Sequence, residues 1–190
     1  MGQFDVEAAR HLARQRLGDL GDRWRHTVGV ANRAAELSGT VAPDERDLLV
    51  AAGWLHDVGY APSVRVTGFH PLDGALHLER LGWPARLVSI VAYHSGAQFV
   101  AGALNLLGEL ERFLQDDSAA ADALTYADQT TGPQGQRFAI EQRFAEVLDR
   151  HGPESPSAVV HHLRGPYLLA VARRVERRTT LHSNDPRSLR

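Results

Sequence analysis

"AAGWLHDVGYAP", residues 51–62, ends an apolar run on two adjacent ionisable side chains, His56 and Asp57. The run before them, "LLVAAGWL" (48–55), belongs to a segment that opens with Pro43 and acids in its first turn and stops near Gly59, as a helix starts and ends. An apolar helix that closes on His-Asp buries charge unless the two groups are paired or ligated. An ion pair at the helix end is the plain explanation, and a metal site is the other. On a regular helix the two side chains differ by about 100°, so both reach one point only if the helix loosens, which Gly59 permits.

Helical signals continue in both directions from this stretch. "DVEAARHLARQRLG" (5–18) and "GDRWRHTVGVANRAAELSG" (21–39) precede it, the second with Asp22 as a cap and Trp24, Val28, Ala31 and Ala35 on one face. After it come "PLDGALHLERLGW" (71–83), "PARLVSIVAYHSG" (84–96), "ALNLLGELERFLQ" (103–115), "SAAADALTYADQT" (118–130), "QRFAIEQRFAEVLDRHG" (136–152) and "GPYLLAVARRVERR" (165–178). No stretch alternates with the period of two that a half-buried strand requires. The expected architecture is all-α, a helical bundle of about eight helices over residues 1–178 followed by a polar tail at 179–190.

Composition limits the function classes. A chain of 190 residues with 43% hydrophobic content buries one core. It has no apolar run of membrane-helix length and no signal-peptide pattern, so it reads as cytoplasmic and off the membrane. A net charge of −2 gives no reason to expect nucleic acid as partner. Seven arginines stand between Arg164 and Arg190, but the last dozen residues read as a polar tail rather than a binding arm. Without cysteine, any metal is held by imidazole and carboxylate. The chain has no lysine, so every fixed side-chain cation is an arginine, and its ten histidines exceed ordinary usage.

On the helical frame His26 lies on the second segment, His56 and Asp57 end the third, His70 starts the fourth, His94 ends the fifth, and Asp128 sits near the end of the alanine-rich one. Polar groups converging from five elements are how helical bundles build metal sites. The donor set suits one or two divalent transition ions, Fe, Mn, Zn, Ni or Co, and the two oxygens of Asp57 suit a bridge between a pair. A lone buried histidine is more often hydrogen-bonded than ligating. His11, His77, His151, His161, His162 and His182 are therefore expected at surfaces or termini.

His26, then His56-Asp57, then the distant Asp128, framed by "RHTVGVANRAAEL", "LHDVGY" and "LTYADQT", resembles the H…HD…D signature of the HD-domain metal-dependent phosphohydrolases over roughly residues 20–130. "FHPLDGA" and "VAYHSG" resemble the additional histidines of two-metal members, such as the YqeK-like nucleotide hydrolases and the HD-GYP phosphodiesterases. The resemblance implies His26, His56 and Asp128 as ligands of a first ion, His70 and His94 as ligands of a second, and Asp57 as the bridging catalytic carboxylate. Tyr60 and "HSGAQFV" stand where HD-GYP proteins carry a lysine and a second motif, which argues against cyclic dinucleotide hydrolysis.

The implied reaction is hydrolysis of a phosphoester or phosphoanhydride bond in a nucleotide or other small phosphorylated metabolite by a metal-activated hydroxide. Arginines suit phosphate oxygens, and Arg65, Arg137 and Arg143 are the candidate substrate ligands, with the 129–135 loop as a pocket wall. Two alternatives stay open. One is a di-iron HD-type oxygenase, a branch that typically uses a lysine this chain lacks. The other is a non-catalytic module binding metal or nucleotide.

Overall fold

The computed structural model describes residues 4–183. Its α-helices are α1 (Val6–Leu17), α2 (Asp22–Leu37), α3 (Arg46–Leu55), α4 (His70–Arg80), α5 (Ala85–Tyr93), α6 (Ala97–Ala103), α7 (Leu107–Leu110), α8 (Ala119–Gln129), α9 (Ile140–His151), α10 (Pro156–Val159) and α11 (His161–Ser183). Short 3₁₀ turns at Val58–Tyr60 and His94–Gly96 follow α3 and α5. Among the described residues there is no β-strand beyond one isolated bridge between Thr131 and Arg137, and no helix is long and apolar enough to cross a membrane. The fold is the all-α one expected.

Helix α3 is the hub, packing on α1, α2, α5 and α8. A helix apolar on all sides belongs in a core, and Leu48, Leu49, Ala51, Ala52 and Leu55 are fully buried. Each of the three leucines contributes roughly 2 kcal/mol of burial. Helix α4 packs on α5 and on the turn after α3, and α11 runs along α8.

The polar ends of α3 and α5 reach the centre because the backbone stops being helical at Asp57 and at His94. Helix α3 ends at Leu55, and Asp57 leaves the helical region (φ −103°, ψ 7°). Gly59 cannot be replaced without moving α4, because a Cβ there would lie 2.0 Å from the His70 carbonyl oxygen. Helix α5 ends at His94, and Ser95 and Gly96 both adopt positive φ, 56° and 69°.

Three local expectations differ from the structure. The segment 103–115 is not one helix: Asn105 turns left-handed (φ 57°), leaving α6 before it and the four-residue α7 after it. The buried stripe of α2 is His26, Thr27, Val30, Ala31, Ala34 and Leu37 rather than the Trp24–Ala35 face. Trp24 packs on Trp54 at the periphery, at a centroid distance of 5.9 Å. Helix α11 begins at His161, with Pro166 inside its first turns, and passes position 178 to reach Ser183. Of the stretch read as a tail, 184–190 lie outside the described residues.

Candidate metal centre

Six side chains form two adjoining groups: His26, His56 and Asp128 offer ligand atoms within 4.8 Å of one another, and Asp57, His70 and His94 do the same. Five of them are buried and His70 is half-buried. Asp57 joins the groups. Its Oδ2 lies 3.3 Å from His56 Nε2 and 3.7 Å from His26 Nε2, while its Oδ1 lies 3.3 Å from His70 Nε2. His70 and His94 bring their Nε2 atoms to 3.3 Å, and Asp128 Oδ1 is 3.0 Å from His26 Nε2.

Three of the rings are oriented from behind. His26 Nδ1 lies 3.1 Å from the Gly132 carbonyl, His56 Nδ1 2.9 Å from that of Gly53, and His94 Nδ1 2.6 Å from that of Val91. A carbonyl only accepts, so each Nδ1 donates to it, and each ring is turned so that Nε2 faces the centre. His70 is held by stacking on Tyr60, with ring centroids 4.0 Å apart. The Asp73 carboxylate accepts from Thr67 N and Oγ1 and from Gly68 N, fixing the loop that enters α4.

Electrostatics leave the two carboxylates ionised. Burial alone pushes Asp57 up, but Arg23, His56 and His70 outweigh it and hold it well below the usual range. Burial likewise opposes ionisation of Asp128, and the hydrogen bond and charge of His26, with His56, bring it well below. Burial lowers His70 and His94, helped by the neighbouring histidines, so both are neutral donors. Burial also opposes charge on His56, but Asp57 and Asp128 overcome it and raise that ring.

This donor set fits a cation. His56 Nε2 is fully buried and, despite its closeness to Asp57, has no hydrogen-bond partner among the described residues. An orphaned imidazole nitrogen between two ionised carboxylates is costly without a positive ion to share. Imidazole with carboxylate selects divalent transition metals.

The centre opens into a cleft of about 360 Å³, lined in part by Asp57, His70, His94 and Asp128, behind which His26 and His56 lie. The arginines on this cleft are Arg23, Arg150 and Arg164. Arg65 is exposed and off the cleft; Arg137 is exposed and paired with Glu36; Arg143, on α9, is buried and paired with Glu146. Of the 129–135 loop, Gln129 lines the cleft, while Gly132 stands behind His26 and supplies its carbonyl. None of the remaining histidines with described side chains joins the centre: His11, His162 and His182 are exposed, and His77 and His161 half-buried. The His151 side chain lies outside the described ones.

Several residues of the centre escaped sequence reasoning. Arg23 donates to Asp57 Oδ2 at 2.5 Å with its guanidinium 3.8 Å from the Tyr60 ring centroid; its signal is its position one turn before His26 on α2. Ser95 donates to Asp128 Oδ2, which also accepts from Gln129 Nε2 at 2.8 Å. Arg164 donates from Nε to the Ser95 carbonyl at 2.7 Å. Only the fold brings Ser95 and Arg164 to the site.

Residues 23–152 match the family model "HD domain", well over half of the chain. The protein belongs to the HD-domain family, a metal-dependent hydrolase type of superfamily. Among curated proteins and among solved structures, nothing matches this chain.

Proposed function

We propose that this protein hydrolyses a phosphoester or phosphoanhydride bond in a nucleotide or other small phosphorylated metabolite, using one or two divalent transition-metal ions. The observation that carries the reading is Asp57, whose two carboxylate oxygens face different histidine groups at the floor of an open cleft. His26, His56 and Asp128 would hold one ion and His70 and His94 the other, with Asp57 shared. Ions bound there supply Lewis acidity toward a phosphoryl oxygen and make water a nucleophile near neutral pH.

The chain's own residues do the rest. The backbone carbonyls behind His26, His56 and His94 hold each Nδ1 and turn each Nε2 toward the centre, where it would coordinate an ion once free of its proton. Arg23 neutralises Asp57 and keeps its carboxylate from rotating. Phe69, Val100 and Leu104 give the cleft an apolar wall, which strengthens charge interactions with a bound phosphoryl group by excluding water. Arg164 stands at the wall beside His94 as a bidentate donor for phosphoryl oxygens.

The test pairs metal content with turnover. Protein purified without chelator is expected to carry about two ions per chain by mass spectrometry and to release phosphate from members of a panel of nucleotides and sugar phosphates. Asp57→Ala is expected to lose metal and activity while far-UV circular dichroism stays close to wild type. Unchanged metal content and turnover in that variant overturn the assignment. Oxygen consumption by an iron-loaded protein that releases no phosphate overturns the reaction class.

A further inference from the structure

The α9 and α11 side of the cleft carries more positive charge than direct ion pairs neutralise. Arg164 is 9% exposed, lines the cleft, and makes its one side-chain hydrogen bond to the neutral Ser95 carbonyl. No carboxylate pairs with it among the described residues. Arg150, also on the cleft, shares Glu146 with the buried Arg143: its Nε lies 3.0 Å from Glu146 Oε1, and Arg143 takes Oε2. Three guanidinium groups therefore stand against one carboxylate. The acids at the cleft floor attract them from a distance but form no direct pair with them, because Asp57 is bonded to Arg23 and lies among the histidines, and Asp128 is bonded to His26, Ser95 and Gln129.

A buried guanidinium without a counter-ion is costly. Burial lowers Arg143, Arg150 and Arg164; the charge of Asp128 offsets part of this, and repulsion among the arginines adds to it, with Arg143 acting on Arg164, and Arg150 and Arg23 on Arg143. An arrangement of this kind is stable when a ligand supplies the missing anions. Arg164 is fixed through Ser95 to the neighbour of His94, so such an anion lies next to the group that the metal centre handles, not in place of it.

We propose that the cleft binds a substrate with at least two consecutive phosphates, the second held by Arg164 with Arg150 at the rim, so that the bond cleaved is a phosphoanhydride in preference to a simple monoester. This rests on the hydrolase reading above and narrows its substrate class. Arg150 and Arg164 lie on α9 and α11, elements that contribute no candidate metal ligand. The second phosphate is thus recognised by a part of the fold separate from the metal centre.

The test is calorimetric titration of the metal-loaded protein with methylenediphosphonate and with methylphosphonate, neither of which is hydrolysed, with metal content rechecked afterwards. Wild type is expected to prefer the diphosphonate by about tenfold or more, the scale of one charge-assisted bidentate contact. Arg164→Gln is expected to lose most of that preference. Arg150→Gln, at the more exposed rim, keeps the test valid if the buried variant does not fold, and is expected to lose part of it. Arg112→Gln, a like charge change on a remote surface, is expected to retain it. Equal affinity for the two probes in wild type, or an unchanged preference in both cleft variants, overturns the proposal.

Turnover separates the two readings. If monoesters are hydrolysed as efficiently as anhydrides, the hydrolase stands and the two-phosphate site falls. If the arginine-dependent preference is present and no phosphorylated compound is turned over, the binding site stands and the hydrolase falls.

Discussion

At the residue scale the centre is a set of buried charges that satisfy one another only in part, and Arg23 is where this is most testable. Its guanidinium pairs with Asp57 at 2.5 Å and lies 3.8 Å from the Tyr60 ring centroid, and Tyr60 in turn stacks on His70. Without metal, Arg23 is the one arginine paired with Asp57 among the described residues, and a charged hydrogen bond of this kind is worth about 1.5–3 kcal/mol. A bound ion would take over much of that neutralisation. Arg23→Gln is therefore expected to destabilise chelator-treated protein by about 2 kcal/mol and metal-loaded protein by clearly less, read by urea denaturation of both forms. Equal losses in both forms would mean that Arg23 serves the fold and not Asp57. The ligands themselves were legible because His-Asp after an apolar run has few inexpensive explanations. Arg23, Ser95 and Arg164 were not, because an arginine on a helix or a serine after a histidine is ordinary until the chain brings it against a buried acid or a cleft.

At the element scale the centre depends on helices that stop at the right residue. The 3₁₀ turn Val58–Tyr60 lets α4 come so close that a Cβ on Gly59 would sit 2.0 Å from the His70 carbonyl oxygen and 2.7 Å from Gly74 N. Both neighbours are backbone, so no side chain can swing aside. Gly59→Ala is expected to displace the start of α4, costing about 1–3 kcal/mol as overpacking does, and to lower metal content by moving His70 while leaving His26, His56 and Asp128 in place. Thermal unfolding and metal analysis check it, and wild-type values in both would show that α4 is free to shift. Helix ends were readable from Gly18, Gly39, Gly59 and Gly96. What could not be read was the left-handed Asn105 that splits the 103–115 segment, since asparagine there looks like any polar helix residue. The inward face of α2 was also ambiguous, because apolar residues occupy two sides of that helix and tertiary packing chose the one with His26.

At the scale of the whole molecule, the six side chains of the centre come from α2, the ends of α3 and α5, the start of α4, and α8, so a bound ion cross-links elements from position 26 to position 128. The C-terminal part is attached differently. Asp122 on α8 is 8% exposed and takes a two-pronged contact from Arg174, at 2.9 and 2.6 Å, and a third bond from Arg178 at 2.9 Å. Two arginines of the basic C-terminal stretch, Arg174 and Arg178, are thus a clamp holding α11 on α8. Metal and clamp stabilise different halves, and their removal has different signatures. A ligand that binds only the folded state stabilises it by about 2.7 kcal/mol when present at a hundred times its Kd, so chelation is expected to lower Tm by roughly 5–10 °C in a chain of this length. The accompanying rise in amide hydrogen exchange should fall on α2, α4 and α8 and spare the middle of α11. Asp122→Ala should do the reverse, freeing α11 first while metal content holds, because no ligand lies beyond Asp128. A Tm unmoved by complete metal removal would mean that the six side chains close on one another without an ion, and the metal-dependent reading would fall with it.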